Sequence, residues 1–344
     1  MMSTNGPLSS KVKWGLVIHG GVGVLSREAL EGELEVAYLR TLEESLKVGY
    51  EAMKETGSAE DGVVEAIRVM EDSDLFNAGR GSNFTTDGEV SMDASIMVGD
   101  TLAAGAVAGV RDVRNPISLA RRVMDDCPHV MLSGRGAEAF AREMGIPSED
   151  PEFFFTQRRW NALQAAKDRE GRGEATPNTV DVDETPPSEA ETKPARQAAS
   201  SDPAEVRERS GTVGAVALDQ GGTLVAGTST GGSANKKWGR IGDSPVIAAG
   251  TYAGSHCGVS CTGWGEYFIR HAVAHDVQAR MAYQGLSLRD AAQQVIWKKL
   301  ESHRKGLGGI VAMDRDGNLE MCYNTQGMYR GWVDQEGRVE VAIF

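Results

Sequence analysis

The chain has 344 residues, with 49 acidic against 36 basic side chains, so its formal charge is −13. Such a surface repels phosphate backbones and anionic lipid, which argues against nucleic acid or membrane as partners, and no apolar run reaches the about 18 residues a spanning helix needs. A chain of this length buries roughly three quarters of its unfolded surface without staples, and four cysteines (Cys127, Cys257, Cys261, Cys322) make no disulfide framework, so reduced thiols and a cytoplasmic location are expected.

The N-terminal stretch Met1–Lys13 is polar and has no apolar signal core. Period-2 alternation and short apolar runs predict strands at Trp14–Gly20, Val90–Val98 and Ala104–Val110; 3.6-residue spacing predicts helices at Ala29–Lys54, Glu60–Met70, Pro116–Asp125, Gly136–Met144 and Phe153–Lys167. Then the text changes. Residues 168–210 hold five of the eleven prolines (Pro177, Pro186, Pro187, Pro194, Pro203) and no Leu, Ile, Met or aromatic side chain. Such a stretch cannot bury enough apolar surface to offset its ordering entropy, so it reads as a disordered linker. Strand patterns resume at Thr212–Leu218, Thr223–Thr228, Val246–Tyr252 and Gly258–Thr262. Helical patterns follow at Trp264–Tyr283 and Leu288–Ser302, and strands at Gly309–Asp314, Asn318–Asn324 and Val339–Ile343 close the chain. Strands and helices come in separate runs, which predicts an α+β fold of antiparallel sheets with helices layered outside.

Chemistry-bearing text clusters just after the linker. Glycines stand beside short hydroxyls at Gly211–Gly214, Thr228–Gly232, Gly250–Ala253 and Ser260–Glu266, with Gly239–Pro245 adding an Arg and an Asp. Each alone reads as turn text. The chain has no H-E-x-x-H and no Walker A sequence, and His19–Gly23 is not a dinucleotide fingerprint. Cys257 and Cys261 with His256 do not have zinc spacing and alternate like a strand. A threonine hydroxyl is a poor nucleophile without an adjacent base; one solution is the residue's own α-amine, which requires Thr at a chain start. That amine has a pKa near 7.7–8.0, roughly suited to accepting a proton at neutrality.

Together these stretches resemble the plant-type asparaginases and isoaspartyl peptidases, a family of N-terminal nucleophile hydrolases. The resemblance rests on His19–Gly23, Leu75–Gly79 and Met92–Met97 before the linker. After it come Gly211–Val216, Thr228–Gly232, Gly239–Pro245, Gly250–Ala253, Thr262–Glu266 and Asn324–Arg330. The stretches occur in family order and span nearly the whole chain outside the linker. The resemblance implies a four-layer αββα sandwich of the N-terminal nucleophile hydrolase type, made as one folded precursor that cuts itself between Gly211 and Thr212. Residues 1–211 become an α subunit and 212–344 a β subunit, and the linker becomes the free tail of α. A dimer of αβ units is the implied assembly. The implied activity is isoaspartyl peptidase and L-asparaginase, through a β-aspartyl ester on Thr212.

Roles carry over by position. Thr212 matches the nucleophile and Thr230 the threonine that orients it. Arg240 matches the clamp on the substrate α-carboxylate and Asp243 the anchor for its α-ammonium, with Ile241 and Gly242 between them. Thr262 and Gly263 match the oxyanion hole, followed by Trp264 and Gly265 at the substrate. Asn77 lies near the catalytic site in relatives. The stretch Met70–Arg80 aligns with a loop that wraps a structural sodium through backbone carbonyls, here those of Met70, Glu71, Ser73, Phe76, Ala78 and Arg80. No organic cofactor is implied. Val130 stands where potassium-activated members carry serine after the histidine, so potassium activation is not expected. Trp264 is bulkier than the residue usual in relatives. Two other readings fit the same stretches. Glycosylasparaginases usually read Thr-Ser-Thr-Asn-Gly where this chain has Thr-Ser-Thr-Gly-Gly, and the long linker gives slight support to a taspase-like threonine endopeptidase.

Overall fold

The computed structural model describes residues 12–22, 30, 32–173, 211–300 and 306–344. Most of the linker, residues 174–210, therefore lies outside the described residues. The N-terminal part contributes β1 (Gly15–Val22), α1 (Glu33–Thr56), α2 (Ala59–Glu71), β2 (Met92–Val98), β3 (Ala104–Val110), α3 (Pro116–Asp126), β4 (Met131–Ser133), α4 (Gly134–Glu143) and α5 (Gln157–Gly171). The C-terminal part contributes β5 (Val213–Leu218), β6 (Leu224–Thr230), β7 (Thr251–Ala253), β8 (Cys257–Gly263), α6 (Gly265–His271), α7 (Val273–Gln284) and α8 (Leu288–Gln293). It ends in β9 (Gly308–Asp314), β10 (Leu319–Tyr323), β11 (Met328–Asp334) and β12 (Val339–Ala342).

The strands form two sheets, ordered β12-β11-β1-β5-β6-β2-β3-β4 and β10-β9-β8-β7. Every pairing is antiparallel except β3 with β4, so the chain has the α+β organisation expected of it. The central strands are buried on both faces, and period 2 sorts their side chains. On β1, Leu16 and Ile18 join the cluster that holds Leu42, Ile67, Ile117 and Leu163 of the first helices. Val17 turns the other way, into a cluster with Val216 of β5 and with Val311, Met313 and Met321 of the small sheet. Across that sheet, Val259 and Ile310 pack on Phe268, Val277 and Leu288. Each such fully buried aliphatic side chain is worth about 1.5–3 kcal/mol of transfer free energy. Among the described residues no helix is long and apolar enough to cross a membrane.

Local signals set the helix ends that matter for the site. Ser58 caps α2 by accepting from the Asp61 N–H at 3.3 Å. At the other end of α2 the buried Glu71 carboxyl accepts from the Ile117 N–H of α3 at 3.0 Å, one of the first-turn donors that have no partner within the helix, just after Pro116. Thr156 caps α5, accepting from the Arg159 N–H at 3.3 Å.

Several expectations need correction. The expected linker begins at residue 168, but α5 runs through Gly171; its Glu170 is held by Asn235 and Lys237, contacts that local composition does not reveal. The strand expected at Val246–Tyr252 is only Thr251–Ala253, because the N–H groups of Val246 and Gly250 both turn back to the Asp243 carbonyl, at 2.9 and 3.1 Å. The helix expected over Trp264–Tyr283 breaks at Ala272, which adopts φ 47°. The next one changes from α to π-helix at Gln294. Two strands escaped the pattern. The three residues of β4 are too few to alternate, and β11 carries Arg330 and Gly331 at its centre.

Candidate active site

Gly211 and Thr212 sit at the start of β5, in the large sheet between β1 and β6. Thr212 is 6 % exposed. Its hydroxyl donates to Thr230 Oγ1 at 3.2 Å, and the Thr230 hydroxyl donates to the Gly211 carbonyl at 3.0 Å. Asn77 Nδ2 donates to that carbonyl at 2.7 Å and to the Gly232 carbonyl at 2.8 Å. Asn77 is fixed in turn by Asn83, whose N–H donates to its Oδ1 at 2.8 Å. The peptide bond between 211 and 212 therefore has two donors on its carbonyl oxygen and a hydroxyl beside it.

His19 pins the other side of Thr212. Its Nδ1 lies 3.0 Å from the Thr212 carbonyl, which can only accept, so Nδ1 carries the proton. Nε2 lies 2.9 Å from Ser260 Oγ. Complete burial pushes the imidazole pKa down to about 3, so it is neutral at working pH. Buried hydroxyls continue the chain from Ser260 to Thr228 at 2.7 Å, Thr251 at 2.6 Å and Ser95 at 2.8 Å. The stretches that hold Ser260, Thr228 and Thr251 stand out in the sequence as glycines beside short hydroxyls, but the four hydroxyls lie on four strands, and their joining into one chain is visible only in the fold.

The end of β1 also reaches the predicted oxyanion pair. Gly21 lies against the Thr212 backbone, and the Val22 N–H donates to Thr262 Oγ1 at 3.3 Å, leaving the Thr262 proton free to be donated. Gly263 follows with φ 158°; a Cβ there would stand 2.6–2.8 Å from Phe268, the Leu307 carbonyl and Gly308, so only glycine fits. Trp264 stands just before the first residue of α6 and packs edge-on to Tyr267, with ring centroids 6.3 Å apart.

Arg240 and Asp243 flank Ile241, which is exposed, and Gly242, which is buried. Arg240 donates through Nε and Nη2 to the Glu266 carboxylate at 2.9 and 3.0 Å. Asp243 is 4 % exposed, and its Oδ2 has no hydrogen-bond partner in the protein. Burial raises its pKa to about 7 despite the Arg240 charge. A Cβ on Gly265 would stand 2.9 Å from both Arg240 Nη2 and Asp243 Oδ1, so the missing side chain keeps open a space bounded by a cation and a carboxyl. Behind it, Asp93 is paired in register with Thr230 and accepts the Gly109 N–H at 2.8 Å. Lys236 is buried beside it, donating to the carbonyls of Ser91 and Gly231; desolvation lowers its pKa to about 8. Asp93, Lys236 and Glu266 carried no individual signal in the sequence.

Gly227–Gly231 also spells G-x-S-x-G, which marks a strained nucleophile turn in some hydrolases. Here it lies along β6, and the Ser229 hydroxyl donates to Glu71 Oε1 at 2.6 Å, so it is not an exposed nucleophile.

In the loop after α2, backbone carbonyl oxygens crowd against two glycines. A Cβ on Gly81 would stand 2.0 Å from the Phe76 carbonyl oxygen and 3.0 Å from that of Ser73. One on Gly79 would stand 2.3 Å from the Glu71 carbonyl oxygen. These are three of the six carbonyls expected to face sodium, and neutral oxygens suit a hard monovalent ion. Of the other three, the Ala78 carbonyl accepts the Gly81 N–H at 3.1 Å.

Comparison with known proteins identifies the family. The family profile described as asparaginase matches residues 12–343. The chain is 43% identical to an isoaspartyl peptidase of Escherichia coli K12, covering 92% of each chain. It is also 43% identical to an isoaspartyl peptidase of Salmonella typhimurium, over 92% of this chain and 94% of that protein. A plant-type L-asparaginase of Pyrococcus abyssi is 41% identical over 91% of this chain and 94% of its own.

Proposed function

The chain belongs to the asparaginase family, and from that membership we propose that it is a self-cleaving isoaspartyl peptidase and L-asparaginase whose nucleophile is Thr212. The observation that carries this reading is the closed set of hydrogen bonds around the Gly211 carbonyl.

In the first stage the Thr212 oxygen attacks the Gly211 carbonyl carbon. Charge develops on the Gly211 oxygen, where Asn77 N–H and Thr230 O–H already point. The Thr212 proton passes to Thr230 Oγ1, as Thr230 releases its own proton toward that oxygen. The C–N bond then breaks as the Gly211 oxygen re-forms its carbonyl and gives its proton, by way of Thr230, to the departing nitrogen, so that an ester joins Gly211 to Thr212 Oγ1. Water hydrolyses this ester, leaving a Gly211 carboxylate and a free Thr212 α-amine. In the second stage that amine is the general base. Arg240 and Asp243 hold the α-carboxylate and α-ammonium of an aspartyl head group. The Thr262 hydroxyl and Gly263 N–H stabilise the oxyanion formed when Thr212 attacks the side-chain carbonyl. Ammonia or an amino acid leaves, and hydrolysis of the β-aspartyl ester returns the enzyme.

The same proposal includes the four-layer αββα sandwich, supported by the three apolar clusters, and the pairing of αβ units into a dimer. Sodium held by these loop carbonyls would stiffen the loop that carries Asn77 and takes no part in the chemistry. The test is intact mass spectrometry of the purified protein, followed by assay on β-Asp-Leu and L-asparagine. Two chains beginning at Met1 and Thr212 and release of leucine are expected, while Thr212→Ala stays at 36.8 kDa. One unbroken, active polypeptide would end the proposal.

A further inference from the structure

A guanidinium has two forks that can each take a carboxylate: Nε with Nη2, and Nη1 with Nη2. In this protein the first fork is filled. Glu266 accepts from Nε at 2.9 Å and from Nη2 at 3.0 Å, in a pair whose side chains are only 20 and 25% exposed. The second fork is kept clear by two glycines. A Cβ on Gly242 would stand 2.9 Å from Nη1, and one on Gly265 would stand 2.9 Å from Nη2. Glu266 sits in the first turn of α6, three residues after Gly263.

We propose that Glu266 is a positioning residue for the substrate clamp: by occupying the Nε/Nη2 fork it locks Arg240 with its Nη1 end presented to the substrate α-carboxylate. This rests on the function proposed above and goes beyond it, because the roles assigned there include no residue that orients the arginine. Glu266 also ties the clamp to the oxyanion strand. Through it, the group that grips the head of the substrate and the groups that meet its reacting carbonyl share one rigid corner, β8 into α6. Burial raises the Glu266 carboxyl, but the Arg240 hydrogen bonds and charge outweigh it, so it stays ionised at neutral pH. The opposite role, a carboxylate that competes with substrate for Arg240, is disfavoured because Glu266 accepts only from Nε and Nη2 and leaves Nη1, which lies against Gly242, to the substrate.

The experiment compares processed wild type, Glu266→Ala and Glu266→Gln. Self-cleavage is expected in all three. For Glu266→Ala, KM for L-asparagine rises about tenfold while kcat changes little, as expected for lost ground-state positioning. Inhibition separates the mechanism: L-aspartate, which has the α-carboxylate, weakens by about the same factor, whereas β-alanine, which lacks it, does not. Glu266→Gln, which keeps the shape and part of the hydrogen bonding, falls between. An unchanged KM, a lowered KM, or equal weakening of both inhibitors would overturn the inference. A wild-type protein that does not turn over asparagine would instead sink the parent reading, before any variant is compared.

Discussion

Replacing Asn77 by alanine separates the chemistry of self-cleavage from the stability of the site. The amide lost is one of two donors on the Gly211 carbonyl, at 2.7 Å, and Thr230 remains as the other. The loop it also supports is not released, because the Gly232 carbonyl keeps the Asn83 Nδ2 donor at 2.9 Å. Deleting one donor from a preorganised oxyanion site costs about 2.7–4 kcal/mol of barrier, or roughly 10²–10³ in rate. A half-time of one minute would become roughly two hours to most of a day. The stability loss is smaller, on the order of 1 kcal/mol for each hydrogen bond. The assay follows freshly translated or refolded chain on a denaturing gel, with near-ultraviolet circular dichroism confirming that the uncut variant is folded. A folded Asn77→Ala protein that cuts itself at the wild-type rate would refute the role given to the Gly211 contacts.

Other outcomes follow from the same geometry. Arg240→Ala still cuts itself, since Arg240 touches none of the groups around Gly211, but it loses turnover of free asparagine; unaltered turnover would remove it from the carboxylate role. Asp243, raised by burial to about 7, must be ionised to hold an α-ammonium, so the Ki of L-aspartate weakens as pH falls below about 7. Succinate, which has no ammonium, lacks that dependence, and a flat L-aspartate profile from pH 5 to 8 would exclude the anchor. Stability changes at both ends of the pH range. Burial raises Glu71 to about 8, above its unfolded value of 4.5, so its contribution is full below about 4.5 and is lost as pH rises through about 8. Desolvated His19 is lowered to about 3 from 6.5, so the folded state loses ground as pH drops through that window. Melting temperatures across pH, with Glu71→Gln removing only the loss that develops as pH rises from about 4.5 to about 8, check both signs.

Much of this was legible in the residue order, and the failures have physical causes. Short apolar runs located β1, β2, β3, β5 and β9, because strands buried on both faces carry apolar or small residues at most positions. It missed β11, where Arg330 is 8 % exposed and satisfied by the Met328 carbonyl at 3.0 Å. Such a buried arginine reads as solvent-facing until its partner is seen. The hydroxyl and amide groups around Gly211 were found because they lie in glycine-rich stretches. His19, Asp93 and Glu266 act through partners between 16 and 241 positions away in sequence, and nothing local announces such pairs.

The order of the large sheet gives the proposed cut a topological meaning. β1 belongs to the first product yet lies between β11 and β5 of the second, and β2 of the first is zipped to β6 of the second. The backbone can be severed at Gly211 while the pieces stay interlaced, like two combs pushed together. Melting then turns one body into two independent molecules, so the nicked protein must find its partner again by collision. Its renaturation becomes concentration-dependent, whereas that of the uncut Thr212→Ala chain does not.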